Sequence, residues 1–282
     1  MSLNKARHAV LITGCSSGIG YHAAKTLQQH SNYHVIASAR RAEDVARLKN
    51  EGLDTVWLDL NDSESIQQAV SEALEMTGGK LYALFNNAAY GQPGAVEDLS
   101  REVLREQFET NLFGTHELTQ RIIPVMRQQG YGRIIQNSSL LGFVSLPYRG
   151  AYNASKHALE GLSDTLRLEL AAANIQVSLI APGPINSRFR ANAWQMYQQH
   201  INRDASPHRE AYLAMEQRLT KQGPAAPFTL DPDAVTKKLV HALESKRPKA
   251  RYYVTFPSYL FMVLRRVLST RWLDWVLNKI PK

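Results

Sequence analysis

Short runs of β-branched and aliphatic residues alternate with longer stretches of helical periodicity along most of this 282-residue chain. The runs at 9–13, 34–38, 55–58, 81–86, 133–137, 176–181 and 252–254 predict seven strands. Most are apolar without alternation, as expected for parallel strands covered on both faces. Between them apolar residues recur at helical spacing. In Ser63–Met76, for instance, Ile66, Ala69, Val70, Ala73 and Leu74 mark one face. Strands alternating with helices of this length imply right-handed βαβ crossovers and an α/β fold, a Rossmann-type doubly wound parallel sheet of about seven strands. The rhythm breaks once, where 186–228 places two helical patterns before the last strand, an arrangement typical of a substrate lid. With no repeat or linker, the chain reads as a single domain over 1–282, with the lid at 186–228 and a C-terminal helical extension at 256–282.

Apolar residues make up 44% and charged residues 21%, which excludes a disordered, collagen-like or disulfide-framed chain. Cys15 is the only cysteine, so no intramolecular disulfide can form and a reducing, cytoplasmic compartment is expected. Residues 1–9 mix Asn4, Lys5, Arg7 and His8 ahead of one short apolar run, unlike a signal peptide. No stretch approaches the roughly 18 apolar residues of a membrane span. Charge is concentrated at the end. From 245 to 282 there are nine basic residues against Asp274 alone, so this tail carries the whole net charge of +8. The neutral body offers no basic groove, and no nucleic-acid partner is expected.

The first predicted strand runs into Thr13-Gly14-Cys15-Ser16-Ser17-Gly18-Ile19-Gly20, and a helical pattern follows from Tyr21. Glycines here allow a tight turn, close approach of backbone to a pyrophosphate, and close packing of helix on strand. The helix N-terminus adds free N–H groups and the positive end of a dipole. No Gly-Lys-Ser/Thr follows, so this is not a nucleoside-triphosphate loop. The second strand ends at Ser38-Ala39-Arg40-Arg41, and nothing in 36–42 is acidic. A carboxylate there would suit the ribose hydroxyl of NAD, whereas Arg40 suits the 2′-phosphate of NADP(H).

Tyr152-Asn153-Ala154-Ser155-Lys156 opens a long helical pattern, and residues four apart share a helix face. A neighbouring ammonium favours tyrosinate, so Lys156 is expected to lower the phenol pKa of Tyr152. Thirteen residues earlier, Asn137-Ser138-Ser139 closes a strand at the carboxyl edge, where α/β active sites lie.

Taken together these residues resemble the short-chain dehydrogenase/reductase family. The resemblance covers 9 to about 181, with a weaker echo at 251–255. It rests on an ordered set: Thr13-Gly-xxx-Gly-x-Gly20, Asp59, Asn86-Asn87-Ala88, Asn111 in Asn-Leu-Phe-Gly, Ser139, Tyr152-xxx-Lys156 and Pro182-Gly183. The chain looks most like bacterial NADP-dependent aldehyde reductases and the steroid- and retinol-dehydrogenase branch. Ala89 departs from the glycine usual after Asn-Asn-Ala. The resemblance implies that Tyr152 protonates a carbonyl oxygen, Ser139 hydrogen-bonds that oxygen, Lys156 binds the nicotinamide ribose, and Asn111 holds a water leading from Lys156 to solvent. It also implies cofactor contacts from Gly14, Ser16, Ser17, Gly18, Ile19, Gly20, Arg40, Asp59, Leu60, Asn87, Ala88, Ala89, Pro182, Gly183, Ile185 and Ser187, as well as from Tyr152 and Lys156. A homodimer or homotetramer is implied too.

No metal site is expected, since His116, His157 and His241 lie on helical patterns without a second ligand at metal spacing. Cys15 sits near a helix N-terminus, which could lower its pKa, but a small loop filler is the better reading. In the lid, Phe189, Trp194, Met196, Tyr197, Ile201, Tyr212, Leu213, Met215 and Leu219, with Tyr90, Leu140, Leu141, Phe143 and Tyr148, favour a small-molecule apolar carbonyl or alcohol substrate over a sugar. The stretch 263–280 predicts one amphipathic helix, with Arg265, Arg266 and Arg271 in water and the apolar face, two tryptophans included, against protein. The alternative is a peripheral contact with an anionic membrane.

The leading function is NADPH-dependent reduction of an apolar aldehyde or ketone. The alternatives are a membrane-surface steroid, retinoid or lipid dehydrogenase and a non-catalytic NADP-binding sensor. A sensor has no need of Asn111, Ser139, Tyr152 and Lys156 together.

Overall fold

The computed structural model describes residues 7–224 and 226–280. Most of the N-terminal stretch read above, and Lys282 of the basic tail, lie outside the described residues. Seven parallel strands form one sheet: β1 (His8–Ile12), β2 (Tyr33–Ala39), β3 (Asp54–Trp57), β4 (Ala83–Asn86), β5 (Gly132–Asn137), β6 (Ile175–Pro182) and β7 (Arg251–Val254). Their order is β3-β2-β1-β4-β5-β6-β7, so the chain reverses its direction of travel between β1 and β4. That reversal opens a crevice at the carboxyl ends of both strands, the place where ligands bind in open α/β sheets.

Successive strand residues point to opposite faces, and here both faces are apolar. Val10 and Ile12 join one core, with Ala23, Ala24 and Leu27 of α1 (Gly18–Gln28), Leu48 of α2 (Ala42–Asn50), and Val235 and Leu239 of α9 (Asp233–Glu244). Ala9 and Leu11 join the other, with Ile66 and Ala69 of α3 (Ser63–Met76) and Leu118 and Ile122 of α5 (Gly114–Gln129). This two-sided burial explains the unbroken apolar strands. Asp62 caps α3 by accepting from the N–H groups of Glu64 and Ser65, the bonding that fixes a helix start. Between α4 (Arg101–Phe108) and α5 the chain makes a π-helical turn over Glu109–Phe113. Helix α6 (Gly150–Glu169) packs on β6 and carries the Tyr-xxx-Lys pair.

The lid consists of α7 (Phe189–His200) and α8 (Arg209–Thr220). Tyr197, Tyr212, Met215 and Leu219 bury together with Ala193 and with Ala95 of the loop after β4. The Tyr212 hydroxyl donates to Asp98 and accepts from the Ala95 N–H at 2.9 Å, fastening the lid to the loop after β4.

The single C-terminal helix expected over 263–280 is two helices, α10 (Phe256–Val267) and α11 (Thr270–Leu277). Leu268 between them is extended (φ −92°, ψ 144°), and Ser269 stands at the N-cap of α11. Serine favours such a helix start over a helix interior. The break lets both helices lie on one cluster, where Phe261 and Leu277 bury against Leu140, Leu141, Phe143 and Val144. The tryptophans do not follow. Trp272 is 62% exposed and Trp275 54%. Arg265, Arg266 and Arg271 are exposed as expected. No helix among the described residues is long and apolar enough to cross a membrane.

Candidate active site

At the crevice, Thr13 ties the tips of β1 and β4 together: its Oγ1 accepts from the N–H groups of Asn87 (2.8 Å) and Ala88 (2.9 Å). The Asn87 side chain is a strut. Its Nδ2 donates to the Thr13 oxygen at 2.9 Å, and its Oδ1 accepts from Asn137 Nδ2 at 2.9 Å, joining three strand tips. Gly14 takes φ +71°, and a Cβ there would stand 2.9 Å from the Cα of Ala88. One on Gly20 would meet the Gly14 oxygen at 2.3 Å. Gly18 takes φ +58°, and a Cβ there would stand 3.0 Å from the Cβ of Ser187, so the glycine loop lies against the entry to the lid.

Ser17, the N-cap of α1, is extended and makes no side-chain cap bond, and the first turn holds no acidic residue. The N–H groups of Gly18 and Ile19 therefore lack intrahelical partners at the positive pole of the helix, and no acid neutralises that pole. A pyrophosphate fits this donor set. Cys15 is buried, donates to the Ile12 oxygen at 3.2 Å, and is pushed by burial up to about 12, which suits a filler and not a reactive thiol.

Arg40 follows β2 directly, exposed and without an ion pair among the described residues, while the Trp57 indole donates to its main-chain oxygen at 2.7 Å. Its neighbour Arg41 reaches Glu43 at 3.7 Å. Beyond β3, Asp59 Oδ1 accepts from the Asn61 N–H at 3.0 Å. Leu60 is buried against Gly114, where a Cβ would lie 1.8 Å from the Leu60 oxygen.

The four predicted catalytic residues converge from three elements. Asn111, buried in the π-helical turn, accepts from the Tyr90 N–H (3.1 Å) and donates to the Tyr90 oxygen (2.9 Å) and the Ser155 hydroxyl (3.2 Å). Ser139 follows β5, and its Oγ accepts from the Leu141 N–H at 3.1 Å. Lys156 is buried on α6 and donates to the Asn137 oxygen at 2.8 Å, with its Nζ 5.8 Å from the Tyr152 ring centroid.

The expected lowering of the Tyr152 pKa does not occur. Burial pushes the phenol up to about 12, with the Ser139 hydroxyl pulling the other way. Burial also pushes Lys156 down to about 8, against the opposing influence of Glu160. Both groups lose hydration, and the ammonium hydrogen-bonds a strand oxygen instead of the phenol; desolvation therefore outweighs the pair attraction. At neutral pH Tyr152 is a phenol with a proton to give.

Pro182 ends β6, and the Gly183 N–H donates to Val254 at 3.1 Å. Ile185 bridges to Leu230. The Phe189 ring meets the Tyr152 ring edge-on, centroids 5.3 Å apart. Sequence reasoning missed Gly91, where a Cβ would lie 2.7 Å from Phe189 Cζ, so glycine alone lets that ring reach Tyr152. Of the other lid aromatics expected to line a pocket, Tyr197 and Tyr212 belong to the lid's interior and Trp194 packs against it, stacked on Tyr197. Leu140, Leu141 and Phe143 lie under α10 and α11.

The sequence model of the family described as short chain dehydrogenase matches residues 8–198. Similar proteins include the uncharacterized oxidoreductase YbbO of Escherichia coli strain K12, 43% identical over 96% of this chain and 94% of that protein. The NADPH-dependent 3-dehydrocapnine reductase of Ornithobacterium rhinotracheale is 31% identical over 97% of this chain and 96% of its own. Among solved structures, a short chain dehydrogenase/reductase from Burkholderia phymatum in complex with NAD shares the fold with a TM-score of 0.76, at 24% identity, covering 99% of this chain and 98% of that one.

Proposed function

The chain belongs to the short-chain dehydrogenase/reductase family, oxidoreductases that use a nicotinamide cofactor, and from that premise we propose that it reduces an apolar aldehyde or ketone to the alcohol, with NADPH as the hydride donor. The observation that carries this reading is a partly buried, neutral Tyr152 set between the Ser139 hydroxyl and Lys156. When bound, the reduced nicotinamide supplies the hydride. The uncapped start of α1 would hold its pyrophosphate, with Asp59 toward the adenine and Arg40 toward a 2′-phosphate.

Tyr152 gives its phenolic proton to the substrate oxygen. Ser139 Oγ already accepts from Leu141, which leaves its O–H free to donate to that same oxygen as charge develops there. One of the three Lys156 donors is taken by Asn137, and the remaining two suit ribose hydroxyls. Both ends of the Asn111 amide are already bonded, so holding a water for proton return falls to its main chain, which the π-helical turn takes out of α-helical pairing. The test is an NADPH-oxidation screen over aliphatic and aromatic aldehydes, ketones, steroids and retinoids. Turnover of apolar carbonyls is expected. NADPH binding without turnover of any of them would sink the proposal and favour a sensor.

A second reading concerns place. Phe256, Leu260, Val263 and Val267 are exposed at i, i+4, i+7 and i+11 of α10, forming an apolar stripe away from the docked face, and Trp272 and Trp275 are exposed on α11. Arg265, Arg266, Arg271 and Lys279 are exposed around it, with Asp274 the lone acid. A second copy meeting this surface face to face would bring like charges together, whereas an anionic bilayer complements both features. We read it as a peripheral membrane contact of an otherwise cytoplasmic enzyme. The implied homodimer or homotetramer would use other surfaces, such as exposed Leu162 and Leu168 on α6. Salt-sensitive sedimentation with anionic but not neutral vesicles, lost in Trp272→Ser/Trp275→Ser, is expected. Absence of binding to anionic vesicles would overturn the membrane reading.

A further inference from the structure

Three partly buried arginines lie on the segments that flank the candidate catalytic tyrosine, none of them paired with a carboxylate among the described residues. Arg149 is the N-cap of α6, three residues ahead of Tyr152, or about 5 Å along a helix. Its segment is held by the lid, where the Tyr148 ring lies 6.0 Å from that of Tyr212 and 5.5 Å from that of His208, and by the loop after β4, where the Gly94 N–H donates to the Tyr148 oxygen at 3.0 Å. Arg190 follows Phe189, whose ring touches Tyr152. Its Nη2 donates to the oxygens of Lys221 (2.5 Å) and Gly223 (2.9 Å), which leaves Nη1 buried without a partner. Arg218, in the last turn of α8, has its Nε buried and unpartnered.

These three stand apart from the rest of the chain. Every other partly buried arginine among the described residues pairs with a carboxylate (Arg47, Arg121, Arg167, Arg203, Arg251) except Arg133, whose two Nη atoms both donate to main-chain oxygens, whereas Arg190 keeps its Nη1 unpaired. Burial, then the charge of Arg218, pushes Arg149 down to about 9, while burial and then the charge of Arg190 lower Arg218. The guanidiniums thus lie near enough to repel one another in partly dehydrated surroundings. Unpaired like charges held this way destabilise the fold, and an anion between them would relieve the repulsion.

We propose that Arg149, Arg190 and Arg218 form a subsite for an anionic group of the substrate, a carboxylate or sulfonate placed a few bonds from the reducible carbonyl of an otherwise apolar molecule. Guanidinium forks match both oxyanions with paired hydrogen bonds. This deepens the reductase reading and rests on it for the carbonyl, though not for the anion.

Two measurements on the full chain test it. In the first, kcat/KM is compared for 4-oxodecanoate and its methyl ester, which differ in charge and by one methyl group at that position. The acid should be favoured about tenfold or more, the scale of one charged hydrogen bond, and that ratio should collapse toward one in Arg149→Met and in Arg218→Met. Because the ratio is taken within each variant, partial loss of folded enzyme does not move it. Equal use of acid and ester by the parent enzyme, or an acid preference that survives both substitutions, would overturn the proposal. In the second, decanesulfonate should raise the melting temperature at concentrations where decanol does not, and the two variants should lose that shift. A sulfonate shift that is absent, or unchanged in both variants, would count against the subsite. An ester reduced without any anion effect removes the subsite and leaves the reductase. Sulfonate binding without turnover of any carbonyl compound leaves the subsite and removes the reductase.

Discussion

Lys156 of α6 donates to the main-chain oxygen of Asn137, the last residue of β5, at 2.8 Å. This bond locks the catalytic helix to the strand that delivers Ser139. Four residues on, Glu160 accepts from both Nε (2.7 Å) and Nη2 (2.5 Å) of Arg251 on β7, with Asp164 alongside at 3.1 Å. The position of Tyr152 is therefore set from two strands, β5 and β7.

Reduction should lose rate above about pH 8. Lys156 is held down to about 8, so rising pH removes its proton and with it the charge beside the candidate cofactor site, while Tyr152, pushed up to about 12, stays a phenol throughout. The limb should fall with increasing pH in kcat/KM, and Lys156→Arg should carry it out of the measurable range. A limb unmoved by that substitution would assign it to another group.

Removing the phenolic oxygen in Tyr152→Phe deletes the proton donor without touching the phosphate-binding loop. A loss of about 10²–10⁴-fold in kcat/KM is expected, with NADPH affinity kept to within about twofold by fluorescence titration.

Cofactor preference should follow Arg40, which has no carboxylate partner among the described residues to surrender. In Arg40→Asp, NADPH should bind about 10–100-fold more weakly, the worth of a charged hydrogen bond, and NADH should gain. Equal affinities of the parent enzyme for the two cofactors, measured by titration, would refute the assignment.

Stability should respond to Arg251. Its partner Glu160 is buried, with 8% of the side chain exposed, so Arg251→Met strands a carboxylate. A loss of about 3 kcal/mol is expected, the low end for a broken buried pair because Arg251 itself is partly hydrated. Urea unfolding measures it, and an unchanged midpoint would show that the pair contributes nothing net.

The seven strands were legible in the sequence because parallel strands with two covered faces leave unbroken apolar runs, and each predicted strand lies within two residues of an observed one. The lid showed itself as helical spacing where a strand was due. Three features were not legible. The Tyr152 pKa depends on how thoroughly the pair is dehydrated, which an i, i+4 spacing does not encode. The break at Leu268 was masked because Leu264, Leu268 and Trp272 keep helical spacing straight across it. Tyr197 and Tyr212 carry the same aromatic signal whether they face a substrate or each other, and here their rings lie 5.6 Å apart. The arginine trio left one faint trace: neither Arg190 nor Arg218 has an acidic residue three or four positions away along its helix.

The glycines of the first loop have two masters. Gly14 is crowded by Ala88, Gly18 by Ser187, and Gly20 by Gly14 and the Asn87 amide, all of them protein atoms. Were a descendant of this chain to abandon its nucleotide altogether, these positions would still reject a methyl group, and selection for folding alone would keep the signature intact. The glycine pattern therefore dates the architecture, not the activity. In a lineage sliding toward a pseudoenzyme, decay would be visible first at Arg40, Ser139 and Tyr152, whose side chains no neighbour requires to be small.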